Sequence, residues 1–230
     1  MLKLLLAAAI PFQGLVDKTS PTHGFNNRQA VEILSGDGRS HEAAWLGQYL
    51  PSFHEGCDWA DTGWRNVSHM YDPTTGFGFK GWPSAPHMLR EYWDHAIRFR
   101  AECNMHQVAF FLGAAAHLVQ DLCVPHHAAA RMFAGHKQFE EYARHNRHAF
   151  AVCSGGIYDM ARTPEGWVYA NADYTRGHYS HCITRSLKPQ VIHAAVADLL
   201  PRAQRTTAGF VAYFLKVAGT RYVTTTPGRV

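Results

Sequence analysis

The chain has 230 residues, 47% hydrophobic and 17% charged, with a formal net charge of +4 when histidine is neutral. That length admits one large domain or two small ones, and the composition excludes an intrinsically disordered chain. No run of Lys or Arg marks a nucleic-acid patch, and the mild positive excess suits an anionic or membrane-surface substrate without specifying either.

The N-terminus reads MLKLLLAAAIPFQG, one Lys preceding an apolar run from Leu4 to Ile10 that Pro11 ends. The run is too short to span a bilayer and shorter than a normal secretory signal, although Ala7-Ala8-Ala9 is like a cleavage site. An amphipathic first turn docked on the domain is the favoured expectation. The first helix is expected to begin after Pro21-Thr22-His23 and run to Leu34, stopped by Gly36-Asp37-Gly38. A second covers about His41 to Leu50, before Pro51. Residues 54–86, rich in Gly and Pro with aromatics between, read as a long functional loop. Helices follow at about His87–Glu102, Met105–Leu122 and His136–Ala149. Residues 150–185 read as irregular, and a last pair covers about Gln190–Leu199 and Pro201–Val217. Strand-type alternation is nearly absent, so the fold class is all-α.

Histidine is the outlier: 16 residues, against 6 Met and 10 Tyr. They are scattered, unlike a tag, and histidine is the commonest metal ligand. The five cysteines (Cys57, Cys103, Cys123, Cys153, Cys182) form no CxxC pair, and the odd count argues against a disulfide framework. Cys57 and Cys123 stand beside candidate ligands, but buried structural thiols are the favoured reading.

The central motif is HLVQDLCVPHH, residues 117–127. His117 and Asp121 lie at i and i+4, on one face of a helix. Gly113 and Ala114 on that face are small enough to leave room for an ion. Pro125 breaks the helix, and His127 comes from the turn beyond. In HKQFE, His136 and Glu140 repeat the i,i+4 pairing. With His127 they make two imidazoles and one carboxylate, a zinc-hydrolase composition. One such pair is usually a surface pair. Two of them flanking a His-containing break point to metal.

FFLGAAAHLVQDLCVPHH (110–127) followed by GHKQFEEY (135–142) resembles the bacterial zinc-dependent phospholipases C. Their pattern is FYLG-x3-H-x3-D-x3-P-x-H and then H-x3-E. SHMYDP (68–73), GCDWAD (56–61), His23 before NRQAVEIL (27–34), PEGW (164–167) and AQRTTAGF (203–210) extend the similarity over nearly the whole chain. The resemblance implies a single multi-helix domain of the phospholipase C/P1 nuclease type over residues 1–230, with a metal cluster in a cleft. It implies two to three zinc ions. One would be held by His127, His136 and Glu140, a second by Asp58, His69, His117 and Asp121, and a third by His23 and a bridging Asp121. In the family an N-terminal Trp completes the third site. This chain begins with Met1 and has no Trp before Trp45, so a new terminus after Ala9 or a different way of holding the third ion is expected.

The implied activity is phospholipase C, releasing diacylglycerol and a phosphorylated headgroup from glycerophospholipid at a membrane surface. Metal ions would neutralise the phosphate and lower the pKa of water, and Asp58 would order or deprotonate the attacking water. Trp59 stands where it would face a choline cation, with packing as the alternative. Trp64, Phe77, Phe79 and Trp82 stand to insert at a bilayer or to cap the core. The implied protein is a monomer, secreted or at the cell surface. Three rivals stand beside this reading: a P1/S1-type single-strand nuclease, a zinc-binding protein without turnover, and a helical scaffold whose His pairs are ordinary surface pairs.

Overall fold

The computed structural model describes residues 21–79, 82–131 and 135–219. The expectations for the N-terminal run and for cleavage after Ala9 lie outside the described residues. Among these, seven α-helices are present: α1 (Pro21–Gly36), α2 (Ser40–Ala60), α3 (Ala85–Ala101), α4 (Met105–Asp121), α5 (His136–Asn146), α6 (Pro164–Tyr179) and α7 (Pro189–Val217). The all-α expectation holds: the described residues contain no strand, only an isolated antiparallel bridge between Asp72 and Phe77.

Helix α4 runs through the centre. Asn104 caps it, its side chain accepting from the Gln107 amide at 3.2 Å, and every residue from Leu112 to Asp121 is buried. Its closest neighbour is α2. A Cβ at Gly56 would lie 1.7 Å from the Phe110 carbonyl oxygen, and one at Gly113 2.0 Å from that of Phe53. The two backbones therefore touch where both helices carry glycine. The space beside Gly113, expected to admit an ion, is filled by the Phe53 carbonyl. The glycine serves the helix crossing instead, and that crossing brings Cys57 of α2 against His117 of α4.

Three boundaries differ from the sequence reading. Pro51 does not end α2, which continues to Ala60. Proline removes one bond, to the Gly47 carbonyl, but burial of Phe53, Cys57 and Ala60 against α4 carries the helix through. Asp58 thus stands on a helix, not in a loop. Pro201 likewise lies inside α7, so the expected last pair is one helix. Residues 164–179, read as irregular, form α6. Pro164 starts it, the Thr163 side chain accepts from the Gly166 amide at 3.2 Å, and Trp167, Val168, Asn171, Ala172 and Thr175 make its buried face. Gly166 and the polar residues between had masked that spacing.

The buried side chains form two apolar clusters. The larger gathers α1 to α4, α6 and the C-terminal half of α7, around Trp45, Phe53, Trp167, Phe210 and Phe214. The smaller joins Phe139 and Ala143 of α5 to Ile192, Val196, Leu199 and Leu200 of α7. The seam between them holds the site.

Candidate metal centre

Four segments deliver side chains to Asp121, the last residue of α4. His117 comes from one turn earlier, and its Nε2 lies 3.0 Å from Asp121 Oδ2. His69 caps the short helix Arg65–Ser68, with Nδ1 2.8 Å from the same oxygen. Its segment is pinned to the turn after α4 by the Tyr71 amide, which donates to the His127 carbonyl at 3.1 Å. His23, in the first turn of α1, brings Nε2 to 3.4 Å from the other oxygen, Oδ1. His127 Nδ1 lies 3.6 Å from Oδ2. A second set continues outward: His127 Nε2 is 2.9 Å from His136 Nε2, and Glu140 Oε1 is 2.8 Å from His136 and 3.5 Å from His127.

These separations suit zinc. Ligands held tetrahedrally at ~2.0–2.1 Å from an ion lie about 3.3 Å from one another. His69 Nδ1 and His117 Nε2 face each other at 3.1 Å. Asp121 Oδ2 is buried, yet neither neighbouring imidazole meets it at hydrogen-bonding angles. Such an oxygen is placed to share a cation. Three donor groups close enough to hold an ion emerge: Asp61, His69 and His117; His127, His136 and Glu140; and His23, Cys57 and His117.

The protein's own charges are already polarised here. Burial lowers both His117 and His127, but Asp121 outweighs it. His117 ends well above the ordinary histidine range, and His127, helped by Glu140, is pushed up to about 9. Burial and the neighbouring His117 push His69 down to about 4, toward the neutral form that binds metal. Burial would raise Asp121 and Glu140, but the facing histidines hold both below the usual carboxylate range.

A sequence profile described as zinc dependent phospholipase C matches residues 22–186. The chain belongs to the zinc-dependent phospholipase C family. Two curated proteins named phospholipase C, both from Bacillus cereus, are 25% and 26% identical to it over 179 residues, covering 67% of this chain and 63% of each relative. The chain thus spans less than two-thirds of their length. Among solved structures it is similar to the alpha toxin from Clostridium absonum, with a TM-score of 0.78 at 21% identity, covering 89% of this chain and 66% of that one. An alpha-toxin of Clostridium perfringens, isolated from an avian strain, gives a TM-score of 0.73 at 19% identity over the same shares. These structures speak for the fold.

Of the eight ligands that the family pattern implied, seven converge: His23, His69, His117, Asp121, His127, His136 and Glu140. Asp58 is in none of the three donor groups. Its carboxylate lies on α2 one turn beyond His54; burial raises it, while His54 and His117, both within electrostatic reach, pull it back. Asp61, in the C-cap that ends α2, is the carboxylate of that motif that falls in a donor group, with Oδ1 4.0 Å from His117 Nε2. GCDWAD offers both carboxylates three residues apart, and only the point where the helix stops distinguishes them.

Trp59 does not offer its face to a ligand. It packs among Tyr92, Phe110 and Phe111, and the Arg65 guanidinium lies 4.1 Å over its ring. Of the four loop aromatics, Phe77 is 74% exposed, while Trp64, Phe79 and Trp82 are partly buried. Cys123 donates to the Val119 carbonyl at 3.8 Å, and burial pushes its thiol up to about 12, so it is structural. Cys57 Sγ lies 3.7 Å from His117 Nδ1, behind the cluster. All five cysteines are free.

A small cleft of about 50 Å³ opens onto His23, Asp121 and Glu140. Val124, Phe139, Ala143, Val196, Leu199 and Leu200 wall it, and among the described residues no Lys or Arg lines it.

Proposed function

We propose that this chain is a phospholipase C, a single helical domain acting as a monomer at a membrane surface. It would cleave glycerophospholipid to diacylglycerol and a phosphorylated headgroup. Membership of a zinc-dependent family supports the metal. The convergence described above supports two ions, held by Asp61, His69, His117 and Asp121 and by His127, His136 and Glu140. A third would be held by His23 and Asp121. When bound, zinc supplies charge neutralisation for the phosphate and a lowered pKa for water. Asp121 would serve both sites, with one oxygen facing His23 and the other facing His69 and His117. Glu140, 48% exposed, sets the mouth of the cluster. The water-ordering part expected of Asp58 passes to Asp61, the carboxylate that faces His117.

The observation that carries lipid rather than nucleic acid is the cleft. Single-strand binding sites combine a cationic groove with several stacking aromatics, whereas this cleft has mainly aliphatic walls, with Phe139 the one Phe, Tyr or Trp among its described lining residues. No helix among the described residues is long and apolar enough to cross a membrane, so access would be from the interface.

The test sets diacylglycerol release from phospholipid vesicles beside digestion of single-stranded DNA, each with chelator and with zinc restored. Chelator-sensitive lipid cleavage is expected. Nuclease activity without lipase activity would reverse the assignment. Fewer than two zinc ions per chain, with neither activity, would make the protein a binding homologue without turnover.

A further inference from the structure

Behind the cluster lies a group of polar side chains that no ligand set uses. Asn26 and Asn27 of α1 and Gln120 of α4 are all at least 98% buried. A buried amide that lacks partners costs about 1–3 kcal/mol, and packing alone would favour an aliphatic residue. These amides are instead joined, although Asn26 Oδ1 and Asn27 Nδ2 have no hydrogen-bond partner among the described residues. Gln120 Nε2 donates to Asn27 Oδ1 at 2.8 Å, and Asn26 Nδ2 donates to Gln120 Oε1 at 3.3 Å. Both contacts turn the Gln120 carbonyl oxygen toward α1, where it meets His23 Nδ1 at 2.8 Å. An amide oxygen only accepts, so His23 must donate through Nδ1. The lone pair of the neutral ring then sits on Nε2, the nitrogen that faces Asp121.

We infer that Gln120 is a positioning residue that fixes the tautomer and ring orientation of His23, so that the shared side of Asp121 is completed as a third zinc site. Outer-shell partners of metal-binding histidines act in this way, by choosing which nitrogen carries the proton. Beside this network, Cys57 Sγ lies 3.7 Å from His117 Nδ1. Two stacked imidazoles, His23 and His117 with centroids 4.1 Å apart, are thus held by their Nδ1 sides. The inference rests on the metal-centre reading and goes beyond it by giving a role to a residue that binds no ion.

The experiment uses the full chain. Histidine side-chain ¹⁵N NMR of the metal-free protein reports the tautomer of His23, and zinc titration reports each binding step. Wild type is expected to carry the proton on Nδ1. Gln120→Leu removes the acceptor at similar volume. It is expected to abolish that preference and weaken one zinc step by about 10–100-fold, leaving the other steps unchanged. Gln120→Glu keeps the acceptor for His23 but gives up the N–H donated to Asn27, so it is expected to retain the Nδ1 tautomer. Unchanged zinc binding in the Leu variant, or a folded Glu variant that carries the proton on Nε2, would overturn the role of Gln120. Zinc binding by wild type with the proton on Nε2 of His23 would overturn it even if no variant folds. A wild-type chain that binds no zinc at all would instead overturn the metal-centre reading beneath it.

Discussion

The two ligand sets around His127 differ in how they are built. The inner set, on Asp121, is buried at His69, His117 and Asp121 and part-buried at His23 and Asp61, and is drawn from α1, the C-cap of α2, the segment before α3 and the end of α4. The outer set of His127, His136 and Glu140 comes from 14 consecutive residues and ends at a half-exposed carboxylate. The inner set exists only when four segments are folded together, while the outer needs one turn and the start of one helix. Ligand geometry is therefore coupled to global stability on one side of His127 and nearly independent of it on the other.

Substitutions sharpen that difference. Asp121→Asn should have the largest effect. It removes one partner of a buried charged group, which costs about 3–5 kcal/mol. Urea unfolding and zinc analysis should show lost stability together with loss of more than one ion. Gly113→Ala touches no ligand, yet forces a Cβ onto the Phe53 carbonyl. A cost of about 1–3 kcal/mol is expected, with weaker zinc binding at the inner set only. A variant of unchanged stability would sever the proposed coupling. Glu140→Gln should remove the outer ion while changing the stability of the metal-free protein by less than about 1 kcal/mol, as for exposed pairs. A larger loss in thermal melts would show the outer set to be structural as well. Smallest of all, Asp58→Asn should alter stability by no more than about 0.5 kcal/mol and leave metal content intact, whereas Asp61→Asn should lower zinc content. The reverse pattern would restore Asp58 as the ligand.

The same contrast explains what the sequence disclosed. His117 with Asp121 and His136 with Glu140 were legible because an i,i+4 pair on a helix declares its own geometry. His23 and His69 were legible only through the family resemblance, since nothing in their spacing relates them to residue 121. The proposal of Asp61 beside Asp58 was not legible in the sequence, because choosing between two carboxylates in GCDWAD requires knowing where α2 stops, and Pro51 suggested that it had stopped already. Proline costs a helix one bond, but tertiary burial of Phe53 and Cys57 decides whether the helix continues. Gln120 was hidden in plain view inside HLVQD. A polar residue between two ligands carries no sign of which way its amide points until Asn26 and Asn27 are beside it.

Helix α7 gives the two sets a mechanical relation. Its first half packs with α5, the bearer of His136 and Glu140, while its second half belongs to the core that carries α4. Pro201 stands between the halves and leaves the Ala197 carbonyl without its helical partner. The two ligand sets are thus packed against the two halves of one rod, joined at a proline that lines neither set.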